Sequence, residues 1–129
     1  MTKSSLIGPV KIQVPPDPSL SRVLRLATSG MASLAEFTVV EIEDIKVAVS
    51  EVLIALIEHG EGNSIEVEFA VEDHSFNVRG STAVVDFDTE HSDLMLCRTV
   101  LSEVCASHGI EVVDNHAHIW AAVTHATIE

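Results

Sequence analysis

Residues 44–60 read Asp-Ile-Lys-Val-Ala-Val-Ser-Glu-Val-Leu-Ile-Ala-Leu-Ile-Glu-His-Gly, and the fold turns on this stretch. Ile42, Ile45, Val49, Leu53 and Leu56 recur at helical spacing, while Val47, Ala48, Val52, Ile54 and Ala55 make the other faces apolar too. A helix hydrophobic most of the way round is buried on more than one side. Upstream, Thr38-Val39-Val40-Glu41 is a capping-box pattern, in which the threonine oxygen and the glutamate satisfy each other's backbone amides. Gly60 and Gly62-Asn63 break the pattern, so the predicted helix covers roughly residues 39–59.

Working outward, Val10, Ile12 and Val14 alternate with Lys11 and Gln13, the period of a half-buried strand that Pro15-Pro16 ends. Asp17-Pro18 supplies an N-cap and a proline at the first helical position. Leu20, Val23, Leu24, Ala27, Met31 and Leu34 predict one apolar stripe along a helix over 18–35, with Arg22 and Arg25 on the opposite, exposed face. Beyond the central helix, Ile65, Val67, Phe69 and Val71 alternate with polar neighbours, and Glu72-Asp73-His74 turns into a partner strand carrying Phe76 and Val78. Residues 80–90 read as irregular, with a short extended piece at 83–85. Thr89 or Ser92 caps a third helix through about Ser107, closed by His108-Gly109. Ile110, Val112 and Val113 form a strand, Asp114-Asn115 turns, and residues 117–125 form the last strand. This order predicts an α+β two-layer sandwich: a mixed, mostly antiparallel sheet with helices on one face, in a single domain over 1–129.

Of the 129 residues, 47% are apolar, enough for a core without staples. No apolar run approaches the ~18 residues that span a bilayer, and Met1-Thr2-Lys3-Ser4-Ser5 lacks the apolar stretch of a secretory signal. A soluble cytoplasmic protein is expected. Cys97 and Cys105 fall on similar faces of one predicted helix, but eight helical residues span ~12 Å, too far for a disulfide. Both read as small core side chains of a reducing compartment. A formal charge of −13 argues against nucleic acid and anionic membranes as partners. Four of the seven basic residues, Lys3, Lys11, Arg22 and Arg25, lie in the first 25 positions and mark a candidate docking surface on an acidic protein.

The segment Ile42-Glu43-Asp44-Ile45-Lys46-Val47-Ala48-Val49-Ser50-Glu51, the opening strand ending in prolines, the Leu20-Ser21-Arg22-Val23 helix start and the strand–turn–strand from Val67 to Arg79 resemble the anti-sigma-factor serine kinases of bacterial partner-switching systems. The resemblance covers most of the chain, with the second half carried mainly by element order. It implies the Bergerat-type fold shared by histidine kinases and Hsp90-type ATPases. It also implies a sigma factor and/or an anti-anti-sigma (STAS) protein as partners, and a homodimer. In that family the central helix carries a catalytic Glu, a magnesium-binding Asn four residues on and a His four beyond; here these positions are Glu51, Ala55 and His59. Arg22 aligns with an arginine with which family members grip both partners.

The nucleotide chemistry has thinned at three points. A methyl group at Ala55 cannot ligate magnesium. Gly80 stands near the expected adenine-reading Asp, in Val78-Arg79-Gly80-Ser81. Ser92-Asp93-Leu94-Met95-Leu96 replaces the glycine-rich phosphate loop, and Asp93 would repel phosphate. Phosphoryl transfer rests on metal and positioning, so Glu51, the candidate catalytic base, is read as residual and inactive, or simply as a helix carboxylate. No cofactor is expected; ATP and magnesium enter only if the kinase alternative holds. His59 reads as a helix-end residue at the negative end of the dipole.

Seven histidines raise the question of a metal: His116 and His118 project from one strand face, with His108 and His125 as possible neighbours. No carboxylate or cysteine pattern completes that site, and none is expected. Asp86 and Asp88 read as solvated loop acids. The remaining candidates are Arg22 and Arg25 as partner-binding residues, arginine being favoured at interface hot spots. Three functions compete: a binding module that phosphorylates nothing, an active serine kinase with a diverged site, and a small-molecule sensor using the emptied pocket.

Overall fold

A computed structural model describes residues 6–125. Lys3 and the opening Met1–Ser5 stretch therefore lie outside the described residues. Strand β1 (Leu6–Val14) leads through a single 3-10 turn (Pro18–Leu20) into α1 (Ser21–Leu34) and α2 (Val39–His59). The hairpin of β2 (Ile65–Glu72) and β3 (Ser75–Ala83) follows, then α3 (Ser92–Val104) and the hairpin of β4 (Ser107–Val113) and β5 (His116–Thr124). The sheet has the order β1-β2-β3-β5-β4, and every pairing is antiparallel. The expected mixture of directions is thus absent among the described strands. Both hairpins turn on two residues with positive φ, Asp73-His74 and Asp114-Asn115, the geometry that matches the right-handed strand twist.

The capping signals act as the sequence predicts. Asp17 Oδ1 accepts the Ser19 amide at 3.0 Å. The Glu41 amide donates to Thr38 Oγ1 at 3.1 Å, and the Thr38 amide to Glu41 Oε1 at 2.8 Å, which completes the box. From this start α2 runs over β3 and β5, flanked by α1 and α3. Ile45, Ala48, Val49, Val52, Leu53, Ala55 and Leu56 are buried along it, against an inner sheet face of Ile65, Val67, Phe69, Phe76, Val78 and Ile119. That accounts for a helix apolar on several faces at once.

Three expectations are corrected. The first helix starts as the 3-10 turn and buries Leu24, Thr28, Met31 and Ala32, while Val23 and Leu34 face solvent. Thr28 belongs to the stripe because its hydroxyl donates within the helix, 3.0 Å from the Leu24 and Arg25 carbonyls, and costs nothing to bury. The irregular stretch begins later than expected, since β3 continues to Ala83. The third helix ends at Val104, and His108-Gly109, read as its cap, lies inside β4. Gly109 pairs with Trp120, and a Cβ there would collide with the indole, so the glycine serves close packing on the sheet instead of a helix terminus.

Candidate functional site

Glu51, Ile54, Ala55, Glu58 and His59 recur along one side of α2. Facing them from α3 are Asp93, Leu94, Leu96 and Cys97, and the two sets enclose a cleft of about 330 Å³. The position expected to hold magnesium contributes only the methyl of Ala55, 4% exposed. The adenine-reading position is filled from the other side. Gly80 lies on the inner face of β3, where a Cβ would stand 2.6 Å from Leu56 Cδ1 and 2.9 Å from Val52 Cγ1. An aspartate there would have to displace both side chains.

The cleft is electrostatically one-sided: three carboxylates line it and no lysine or arginine does, among the described residues. Burial, with the neighbouring Glu58 charge, raises the Glu51 carboxyl above its ordinary value. Cys97, whose Sγ donates to the Glu51 carbonyl at 3.9 Å, is pushed up to about 11 by burial and then by Glu51. Cys105 is likewise pushed up to about 11, by burial and Asp44. Both are free thiols whose raised values favour the protonated form at neutral pH, Cys97 buried and Cys105 half-buried. The N-terminus of α3 is capped by an imidazole: the Asp93 amide donates to His91 Nδ1 at 3.1 Å.

Arg22 is exposed on α1, as expected. Arg25 is not on the same open face. It is half-buried at the seam with α2, where its Nη1 donates to Ser21 Oγ at 3.4 Å and to Ser50 Oγ at 3.3 Å. Glu51 borders this seam as well as the cleft. Asp86 and Asp88 are exposed, and Asp88 Oδ1 accepts the Glu90 amide at 2.9 Å, an ordinary turn contact.

The strand histidines do not assemble. His116 and His118 share the outer sheet face, but His125 follows the opposite end of β5, where its Nδ1–H donates to Glu41 Oε1 at 2.7 Å. Among the described residues, the histidines that meet a carboxylate as a group of three are elsewhere: His59, His91 and Asp93 each offer a ligand atom within 4.8 Å of the others. The His59 and His91 ring centroids are 5.0 Å apart. From the sequence His59 reads as a helix-end residue and His91 carries no assigned role. The available signal was the His91-x-Asp93 spacing at the start of a helix beside the same cleft.

No family model matches the chain. It is 35% identical over 85 residues to the serine-protein kinase RsbW of Listeria monocytogenes serovar 1/2a, a span that covers 63% of this chain and 54% of that protein. The RsbW of Bacillus velezensis is 30% identical over 97 residues, 70% of this chain and 61% of its own length. That of Bacillus subtilis strain 168 is 32% identical over 91 residues, 66% of this chain and 57% of its own. The chain thus spans little more than half the length of these curated relatives. In sequence over that span, and in its layer of helices on one face of an antiparallel sheet, this chain resembles the RsbW-like anti-sigma-factor serine kinases.

Proposed function

We propose that the chain is a cytoplasmic regulatory binding module of a bacterial partner-switching system, which holds a sigma factor and/or an anti-anti-sigma (STAS) protein without phosphorylating it. The observation that carries this reading is the α2–α3 cleft. Ala55 replaces the metal ligand, Leu56 and Val52 fill the space beside Gly80, and the cleft walls are acidic. A triphosphate there would meet Glu51, Glu58 and Asp93 with no cation to offset them. Incubation with labelled ATP, magnesium and a cognate anti-anti-sigma protein is expected to transfer no phosphate, and calorimetry to give no magnesium-dependent ATP heat. Transfer that Glu51→Gln abolishes would overturn the reading in favour of an active kinase.

The partner surface in this reading is the exposed side of α1 around Arg22. Its guanidinium has no acidic residue on its own helix, and a carboxylate-bearing partner would gain charge-assisted hydrogen bonds. Arg22→Ala is expected to cost ~2 kcal/mol of partner binding, the scale of an interface anchor. Arg25→Ala costs less, because Ser21 and Ser50 already engage that side chain. Unchanged affinity in the double variant would move the surface elsewhere. A homodimer belongs to the same reading, supported by the exposure of Val23, Leu26 and Leu34 on α1. A monomer mass by light scattering at tens of micromolar would remove it.

A further inference from the structure

From the juxtaposition of His59, His91 and Asp93 at the rim of the α2–α3 cleft, we infer that this chain binds a divalent transition-metal cation of the zinc class there, through a donor set that does not include Ala55. The inference goes beyond the binding-module reading and does not depend on it.

Three observations converge on it. First, one ligand atom from each residue lies within 4.8 Å of the other two, and His91 Nδ1 already stands 3.8 Å from Asp93 Oδ2. Tetrahedral zinc with ligands at about 2.0–2.2 Å needs them about 3.4 Å apart, so the cluster must contract by up to about 1.4 Å. His91 and Asp93 are exposed, and their side chains can rotate toward an ion once His91 Nδ1 gives up the Asp93 amide. Second, His59 Nε2 is buried with no hydrogen-bond partner among the described residues. A buried ring nitrogen without a partner is costly, and a cation bound to its lone pair removes that cost. Third, the field is right for a cation. His59 is the last residue of α2, at the negative end of its dipole, and Glu51 and Glu58 line the same cleft.

The donor set selects the metal. Two imidazoles and one carboxylate suit zinc, nickel, cobalt or copper, whereas magnesium and calcium prefer sites made of oxygen. Proton accounting is simple. In the capped helix His91 Nδ1 accepts the Asp93 amide hydrogen, so in the neutral ring its proton sits on Nε2 and the Nδ1 lone pair is engaged by that amide. Ligation through Nδ1 exchanges that amide for the ion and releases the amide to solvent at the exposed start of α3. Water completes the coordination. The bound ion would tie the C-terminal end of α2 to the N-terminal end of α3 and close the rim of the cleft.

The test is a titration of metal-stripped protein without a polyhistidine tag, by calorimetry with Zn²⁺ and by visible absorption with Co²⁺, in millimolar Mg²⁺. Neither ATP nor a protein partner is present, so the result is independent of the function proposed above. One ion per chain is expected. His59→Gln and Asp93→Asn should each weaken binding at least tenfold, since even outer-shell partners of a metal cost about 10–100-fold. The paired His116→Gln, His118→Gln variant should bind as the parent does. In the parent protein, zinc should shift the ring nitrogen resonances of His59 and His91, which keeps the test valid if a variant fails to fold. No saturable binding by the parent, binding that survives the double His59→Gln, Asp93→Asn change, loss of binding in the β5 variant, or unmoved His59 and His91 resonances would each overturn the assignment.

Discussion

The two ends of α2 are built on opposite principles. At the N-terminal end polar groups meet partners: Thr38 and Glu41 satisfy one another's amides, and Glu41 also receives the His125 ring from beyond β5. The edge of Phe37 packs on that same imidazole, with ring centroids 5.3 Å apart. Toward the C-terminal end Glu51 is half-buried beside a like charge, and His59 Nε2 is buried without a partner among the described residues, as His118 Nδ1 is on β5. Unpaired polar groups are destabilising, and natural folds concentrate them where something else must bind. The first end holds α2 to the sheet, and the second is where the proposed cation would bind.

The comparison breaks most sharply at Gly80. If the open end has lost its nucleotide site sterically, Gly80→Asp forces a carboxylate against Leu56 and Val52. A buried unpaired charge in an overpacked site should cost at least ~3 kcal/mol in urea unfolding. Near-parental stability together with new ATP binding would mean that the cleft can still house an adenine reader. The closed end gives the next largest effect. Glu41→Ala removes half of the capping box and the His125 contact, and should lower stability by about 1–2 kcal/mol. Glu41→Gln preserves the box pattern and should lose less. Equal losses would mean that the box itself contributes nothing.

The smallest effect has the opposite sign and lies at the open end. Burial and Glu58 raise the native Glu51 carboxyl above 4.5, so the folded chain keeps that proton to higher pH than the unfolded chain does. Its contribution to stability is therefore full below pH 4.5 and is lost as pH rises through the native value. Glu51→Gln should accordingly be slightly more stable than the parent at neutral pH, with the gain fading on acidification. Urea midpoints of parent and variant, compared at neutral pH and below pH 4.5, measure it. A destabilised Gln variant would mean that Glu51 has a structural partner in solution.

What was legible in the sequence follows from how local each cause is. The bounds of α2 were readable because a capping box and Gly60 are signals within one turn of the ends they set. Both hairpin turns were readable for the same reason. The end of α3 was not, because Gly109 is explained by Trp120 on another strand and no local rule distinguishes that glycine from a helix cap. The phase of α1 depended on Thr28, which looks polar until its hydroxyl finds carbonyls in its own helix. In the site, Glu51, Ala55 and His59 share one helix face and were found together, whereas His91 and Asp93 reach them only through the packing of α3 on α2.

The indole lying across Gly109 also sets what the protein reports about itself in ultraviolet light. Trp120 is the chain's one tryptophan, and there is no tyrosine. Essentially all near-ultraviolet-excited emission therefore originates on the outer sheet face, at the β4–β5 pairing beside the Arg79–Glu111 ion pair. The cleft lies among the helices on the far side of the sheet. An emission change on mixing with another molecule thus marks an event at the strands, and occupancy of the cleft has to be followed by another signal.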